Sequence, residues 1–175
     1  MNRIAAVFPG QGSQSPGMLA ALAESWPQVE ATFAEASRVL GHDLWAIARD
    51  NPEDRLNRTE YTQPAVLAAD VAVARVWQAA GGPPPSFAAG HSLGEYAALV
   101  QAGALAFTDA VALVAERARL MQNAVPAGEG GMAAVDAFGP ETDVTTIDQD
   151  AANDPDVVGK LRICPKCGGE WQQIG

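Results

Sequence analysis

Gly90-His91-Ser92-Leu93-Gly94 is the part of this sequence richest in chemistry. A serine in the spacing G-x-S-x-G, after a short apolar run and before a helical pattern, is the sequence form of a nucleophile elbow. The sharp strand-to-helix turn lifts Oγ clear of the sheet, and the glycines let neighbouring backbone pass close. The Leu93 N–H, at a helix N-terminus, points into the same space and can stabilise an oxyanion. A second glycine-rich turn, FPGQGSQ at 8–14, ends the first apolar run. It has neither the G-x-G-x-x-G spacing nor the lysine of a phosphate-binding loop. Loops at the C-terminal ends of parallel strands converge on one sheet edge, so the two turns are expected to bring the Gln11 backbone beside Ser92. The plainer alternatives are a serine that only caps a helix and a turn without a ligand.

A serine nucleophile needs a base, usually a histidine. The chain has two histidines. His91 adjoins Ser92, where adjacent side chains diverge. His42 follows Gly41 and reads as a surface or capping residue. Arg117 and Arg119 share the apolar helical run VALVAERARLMQ, and the residues alone do not say which of them faces a site. Glu95 and Glu116 read as solvated or structural. Cys164 and Cys167, in CPKCGG, look like one knuckle of a zinc ribbon, but zinc takes four ligands and no second C-x-x-C or histidine pair follows. A shared zinc across two copies, a redox pair and two surface cysteines are the readings open to it.

The elements that must position these residues alternate strands with helices. Ile4–Phe8 reads as a buried strand and 17–24 as a helix. A second helix has Ser25 as N-cap, Pro27 in its first turn and Val29, Phe33, Ala36 and Leu40 on one face, and Gly41 ends it. A short helix over 44–49 precedes the polar loop NPEDRLNRTE. Thr62 is expected to cap a long helix with Pro64 in its first turn, stopping at Gly81-Gly82. PPPSFAAG supplies a second strand ending at Gly90, with helices near 93–102 and 109–124. The order predicts an α/β fold with a parallel sheet.

The chain has 175 residues, 48% of them hydrophobic, and 11 basic against 21 acidic residues give a net charge of −10. That balance argues against nucleic acid and against an anionic membrane surface, because nothing basic is present to neutralise phosphates. The most apolar stretches, 64–80 and 97–115, carry Asp70, Arg75 and Asp109 and read as helices of a soluble domain. The N-terminus has only five apolar residues before a Pro-Gly turn, too few for a signal peptide. The expected compartment is the cytoplasm. Near residue 135 the composition changes: residues 1–135 hold 32 of the 35 alanines and no lysine, and 136–175 hold both lysines and both cysteines. Each part carries a net charge of −5, so the shorter one is about three times as densely charged. The expected division is a folded part, 1–135, and an acidic tail of unrelated character, 136–175, ending in the C-x-x-C knuckle.

FPGQGSQ at 8–14, TQPAV at 62–66, GHSLGEYAAL at 90–99 and ERARLMQ at 116–122, in this order, resemble malonyl-CoA:acyl carrier protein transacylases and the related acyltransferase domains of polyketide and fatty acid synthases. The resemblance covers about residues 3–135, the N-terminal part of such a domain. It implies transfer of a malonyl group from malonyl-CoA to the phosphopantetheine thiol of an acyl carrier protein, in fatty acid or polyketide biosynthesis, with no metal or redox cofactor. It implies Ser92 as nucleophile, the N–H groups of Gln11 and Leu93 as the oxyanion hole, and Arg117 as the holder of the malonyl carboxylate, a role that suits a planar, permanently charged guanidinium. The family's base histidine lies well downstream of the serine, in a half this chain does not have. Most of the ferredoxin-like small subdomain and the strands that complete the large sheet are expected to be missing with it. An incomplete sheet exposes an apolar edge, so self-association is expected. A catalytically incomplete binding or scaffold fragment, and a product whose reading frame shifted near Val135, are the alternatives.

Overall fold

The computed structural model describes residues 3–124 and four short strands at 133–135, 144–146, 161–163 and 170–172. The chain divides into two compact units, Met1–Met121 and Gln122–Gly175. The first contains β1 (Ala5–Phe8), α1 (Ala20–Ala23), α2 (Gln28–Leu40), α3 (Leu44–Asp50), a 3₁₀ turn (Pro52–Asn57), α4 (Thr59–Ala79), β2 (Phe87–Gly90) and α5 (Gly94–Gln101), and α6 (Phe107–Gln122) runs to its end. In the second, β3 (Ala133–Val135) pairs antiparallel with β4 (Val144–Thr146), and β5 (Leu161–Ile163) pairs antiparallel with β6 (Glu170–Gln172). Cys164 and Cys167 lie outside the described residues.

β1 and β2 are parallel, with Ala5 opposite Phe87 and Phe8 opposite Gly90. The alternation of side chains along a strand then splits this two-stranded sheet into two faces. Ala6, Phe8 and Ala88 join the core, whereas Val7 and Phe87 on the other face are 74% and 55% exposed. The fold is α/β with a small parallel sheet, as the alternation of elements predicts.

Helix α4 is the centre of the core. It packs against α2, α3 and α5, and its alanines at 65, 68 and 72 are fully buried. Small side chains let neighbouring helices approach closely, and close packing is what a core requires. Val29, Phe33 and Ala36 on α2 are buried as their spacing predicts, and Leu40 packs against the same core. Gly41 ends α2 at φ 75°, the left-handed conformation that costs glycine nothing. Asp43 accepts from the Ala46 N–H at 3.0 Å and caps α3.

Three boundaries differ from the sequence reading. The helix expected over 17–24 shrinks to Ala20–Ala23, because Gly17 and Leu19 both take positive φ. Ser25 is not the N-cap of α2. Its N–H donates to the Leu22 carbonyl in a continuing turn, and Pro27 occupies the cap position without a side-chain cap bond. Thr62 does not cap α4, which begins at Thr59. Its hydroxyl instead bonds to the carbonyls of Leu56 at 2.6 Å and Arg58 at 2.9 Å, tying the preceding 3₁₀ turn to the helix. Pro64 is therefore inside the helix, and the N–H it lacks would have bonded to the Glu60 carbonyl in the first turn. His42, which reads as a surface or capping residue, is half-buried and meets the Tyr61 ring edge-on at 5.4 Å between centroids.

Candidate active site

Ser92 has φ 53°, one of only five non-glycine residues with positive φ among the described residues. A left-handed backbone costs an L-residue roughly 1–2 kcal/mol, and such strain gathers where structure serves function. The surrounding glycines hold the conformation in place. A Cβ at Gly90 would be driven into the backbone of Gly94 and Glu95, and a Cβ at Gly94 would strike the carbonyl oxygens of Phe8 and Pro9. These two positions therefore accept only glycine, because β1, β2 and the start of α5 pass within van der Waals distance there. The elbow is closed by the Gly94 N–H, which donates to the His91 carbonyl at 2.9 Å, and by the Glu95 N–H, which donates to the Ser92 carbonyl at 3.3 Å.

The loop after β1 comes to the same point. A Cβ at Gly10 would lie 3.8 Å from Ser92 Cβ and 3.0 Å from the His91 carbonyl. The expected convergence of the two glycine-rich turns on one sheet edge is therefore present. The loop braces itself: Ser13 Oγ donates to the Gly10 carbonyl at 2.8 Å, and the Gly12 N–H donates to Gln14 Oε1 at 2.9 Å. Among the loop hydrogen bonds of the described residues, none uses the N–H of Gln11 or of Leu93.

The structure separates the two arginines of α6. Arg119 turns outward and forms an i,i+3 ion pair with Glu116 at 2.6 Å. Its guanidinium holds the exposed Glu116 carboxyl below the usual carboxylate range. Arg117 turns inward. Nη2 donates to Ser92 Oγ at 3.0 Å, and Nη1 donates to Gln63 Oε1 at 2.6 Å. Arg117 is half-buried and pairs with no carboxylate among the described residues. A guanidinium with only neutral partners, beside a strained serine, is a site prepared for an anionic group.

Gln63 extends the cluster. It is fully buried, and its Nε2 donates to Gln11 Oε1 and to Met121 Sδ, each at 3.2 Å. Gln11 Nε2 in turn donates to Thr59 Oγ1 at 3.1 Å. Sequence reasoning assigned roles to Ser92, Leu93, Gln11 and Arg117 but none to Gln63, Thr59 or Met121. The available signal was an amide among the apolar residues PAVLAA at the start of α4. Among the described residues no histidine or carboxylate side chain bonds to Ser92 Oγ.

The family model for the acyl transferase domain matches residues 6–166 of this chain. The chain belongs to that family. Over 135 residues it is 59% identical to the malonyl CoA-acyl carrier protein transacylase of Salmonella typhimurium, an alignment covering 77% of this chain and 44% of that protein. The chain thus spans less than half the length of that curated relative. Its structure is similar to that of the malonyl CoA-acyl carrier protein transacylase of Coxiella burnetii, with TM-score 0.74, 56% identity, and coverage of 79% of this chain and 44% of that one. It is also similar to a malonyl-transacylase solved in complex with its type II PKS acyl-carrier protein, at TM-score 0.73 and 58% identity, covering 78% and 44% of the two chains.

Proposed function

We propose that this acyl transferase chain carries the serine half of a malonyl transfer from malonyl-CoA to the phosphopantetheine thiol of an acyl carrier protein, in fatty acid or polyketide biosynthesis. The observation that carries the reading is Arg117, half-buried, bonded to Ser92 Oγ and unpaired with any carboxylate among the described residues. A malonyl carboxylate on its guanidinium puts the thioester carbonyl over Ser92. Oγ attacks the carbonyl carbon, and the N–H groups of Gln11 and Leu93 receive the developing oxyanion. As the tetrahedral intermediate collapses, the C–S bond breaks and coenzyme A departs as its thiol, leaving malonyl esterified to Ser92. The carrier-protein thiol attacks this ester in the reverse sense and frees the serine. The proton that leaves Oγ and reaches sulfur needs a base. The resemblance assigns that base to a histidine in the portion of the longer relatives that this chain does not span. Loss of one member of a serine triad leaves slow, residual chemistry, so acylation is expected to outlast rapid turnover.

The same reading makes residues 1–135 the acyltransferase part and 136–175 a segment of different character. It makes the cytoplasm the place of action, and among the described residues no helix is long and apolar enough to cross a membrane. It also makes the open edge of the sheet, whose strands carry the exposed Val7 and Phe87, a surface for self-association. Sedimentation across a concentration series tests that last point, and a monomer at every concentration removes it.

The deciding experiment is incubation of the folded chain with malonyl-CoA, followed by intact-mass analysis of wild type and Ser92→Ala. An acyl adduct in wild type that is absent from Ser92→Ala supports the reading. Folded wild-type protein without an adduct overturns it.

A further inference from the structure

We infer that Gln63 is a positioning residue that couples carboxylate recognition at Arg117 to placement of the Gln11 loop, so that it helps set the preference for carboxylated acyl groups. The inference rests on the acyl-transfer reading above and extends it to a residue that does not reach Ser92.

The argument starts from what each group can do in a hydrogen bond. A guanidinium has only donors. Gln63 therefore has to present its carbonyl Oε1 to Arg117 Nη1, which lies 2.6 Å away. That choice fixes the other end of the amide, because Nε2 can only donate. Its two hydrogens find Gln11 Oε1 and Met121 Sδ, both at 3.2 Å. Gln11 is now oriented in turn: with Oε1 committed to Gln63, its Nε2 faces Thr59 Oγ1 at 3.1 Å. The positive charge on Arg117 thus sets the direction of a donor chain through Gln63 and Gln11 to Thr59. Reversing either amide would place donor against donor.

The chain joins three elements of the site. Arg117 is on α6, Gln63 and Thr59 are on α4, and Gln11 is in the loop after β1. The Gln11 side chain is fastened by this network at both of its polar atoms, and its main-chain N–H is the proposed oxyanion donor. Gln63 is wholly buried, so water cannot replace a lost partner, and an unpartnered buried amide is costly. Arg117 has two duties on one face: Nη1 holds Gln63, while Nη2 rests on the exposed Ser92 hydroxyl. A carboxylate arriving at Arg117 competes with the serine contact and leaves the Gln63 contact in place. The guanidinium that holds the acyl group is then the same one that keeps Gln11 in position. An acyl group without a carboxylate gains nothing from this link.

The test compares Ser92 acylation rates from malonyl-CoA and acetyl-CoA, read by intact mass on the full chain. Gln63→Met keeps the length and burial of the side chain while removing all three hydrogen bonds of its amide. It is expected to lower the malonyl-to-acetyl rate ratio about tenfold, the size of one well-placed hydrogen bond to a charged group. Thr59→Val cuts the far end of the chain, outside the catalytic groups and with little change of shape. It is expected to lower the ratio about threefold, and the double variant is expected to fall no further than Gln63→Met, since residues of one network are not additive. If Gln63→Met fails to fold, Thr59→Val alone carries the test. Equal slowing of both donors, an unchanged ratio or additive losses overturn the role of Gln63. Wild-type protein that accepts no acyl group from either donor overturns the acyl-transfer reading itself, which is a different and recognisable result.

Discussion

Arg117 Nη2 donates to Ser92 Oγ at 3.0 Å, across 25 positions of sequence and between α6 and the turn that opens α5. This contact joins the one strained serine of the fold to a guanidinium without a carboxylate partner among the described residues. A donor on Oγ favours the alkoxide but also occupies the face of the arginine that an acid would use. On the proposed reading, binding of a carboxylated acyl group exchanges a neutral contact for a charged one at the moment the serine is needed.

Arg117→Lys separates charge from geometry. Lysine keeps a positive charge but lacks the planar fork that holds a carboxylate bidentately and Gln63 at the same time. Malonyl acylation of Ser92 is expected to fall about a hundredfold, in line with loss of a charge-assisted pair of hydrogen bonds, while the acetyl rate changes little. Single-turnover mass measurements with both thioesters check this. An equal fall for both donors shows that Arg117 supports the serine and not the carboxylate.

Ser92→Gly tests the strain. At φ 53° glycine relieves a cost of roughly 1 kcal/mol, so the variant is expected to melt about 2–4 °C higher and to take no acyl group. Differential scanning calorimetry beside the acylation assay reads both quantities. A lower melting temperature means the serine hydroxyl contributes more to stability than its backbone costs.

Gly94→Ala tests the close approach. Its Cβ would meet the carbonyl oxygens of Phe8 and Pro9, and backbone cannot yield as a flexible side chain does. A loss of about 3 kcal/mol or more is expected, seen as a large drop in the urea midpoint. A variant with wild-type stability shows that β1 and α5 do not pass as closely as described.

Asp70 predicts a pH dependence. On α4 its carboxyl has one oxygen, Oδ2, buried without a hydrogen-bond partner among the described residues, and burial raises its pKa from 3.8 to about 7. In the folded state it therefore binds a proton that the unfolded chain releases above pH 3.8. The sign follows: between pH 4 and 7 the folded state holds more protons, so this group's contribution to stability declines as pH rises through that window. Asp70→Asn removes the titration. It is expected to raise the melting temperature at pH 8, to change it little at pH 5, and to flatten the profile between them. Parallel profiles for the two proteins overturn the assignment.

Much of the site was legible because its chemistry is local in sequence. Ser92 could be read because an elbow needs glycines at fixed offsets, and Gly90 and Gly94 occupy them for the steric reason the spacing implies. The helix ends at Gly41 and Gly81 were legible for a similar reason, since positive φ there favours glycine. The start of α4 was misread because Pro64 and Thr62 are first-turn residues by preference. Here the Thr62 hydroxyl was drawn back to the Leu56 and Arg58 carbonyls, and the buried face of the helix carried the proline inside.

By itself the sequence determined the alternation of strand and helix, the serine turn, and four motifs whose order carries the family. Those are matters of residue type and of spacing within one element. Residue type and spacing left open which arginine of α6 faces the serine, and the tertiary structure turned Arg117 there, because Arg117 and Arg119 are two positions apart and a helix turns them to different faces. It also brought out Gln63, whose partners Gln11 and Arg117 lie 52 and 54 positions away. A hydrogen-bond chain across three elements has no period or spacing to read. It exists only once α4, α6 and the loop after β1 are packed around the same buried amide.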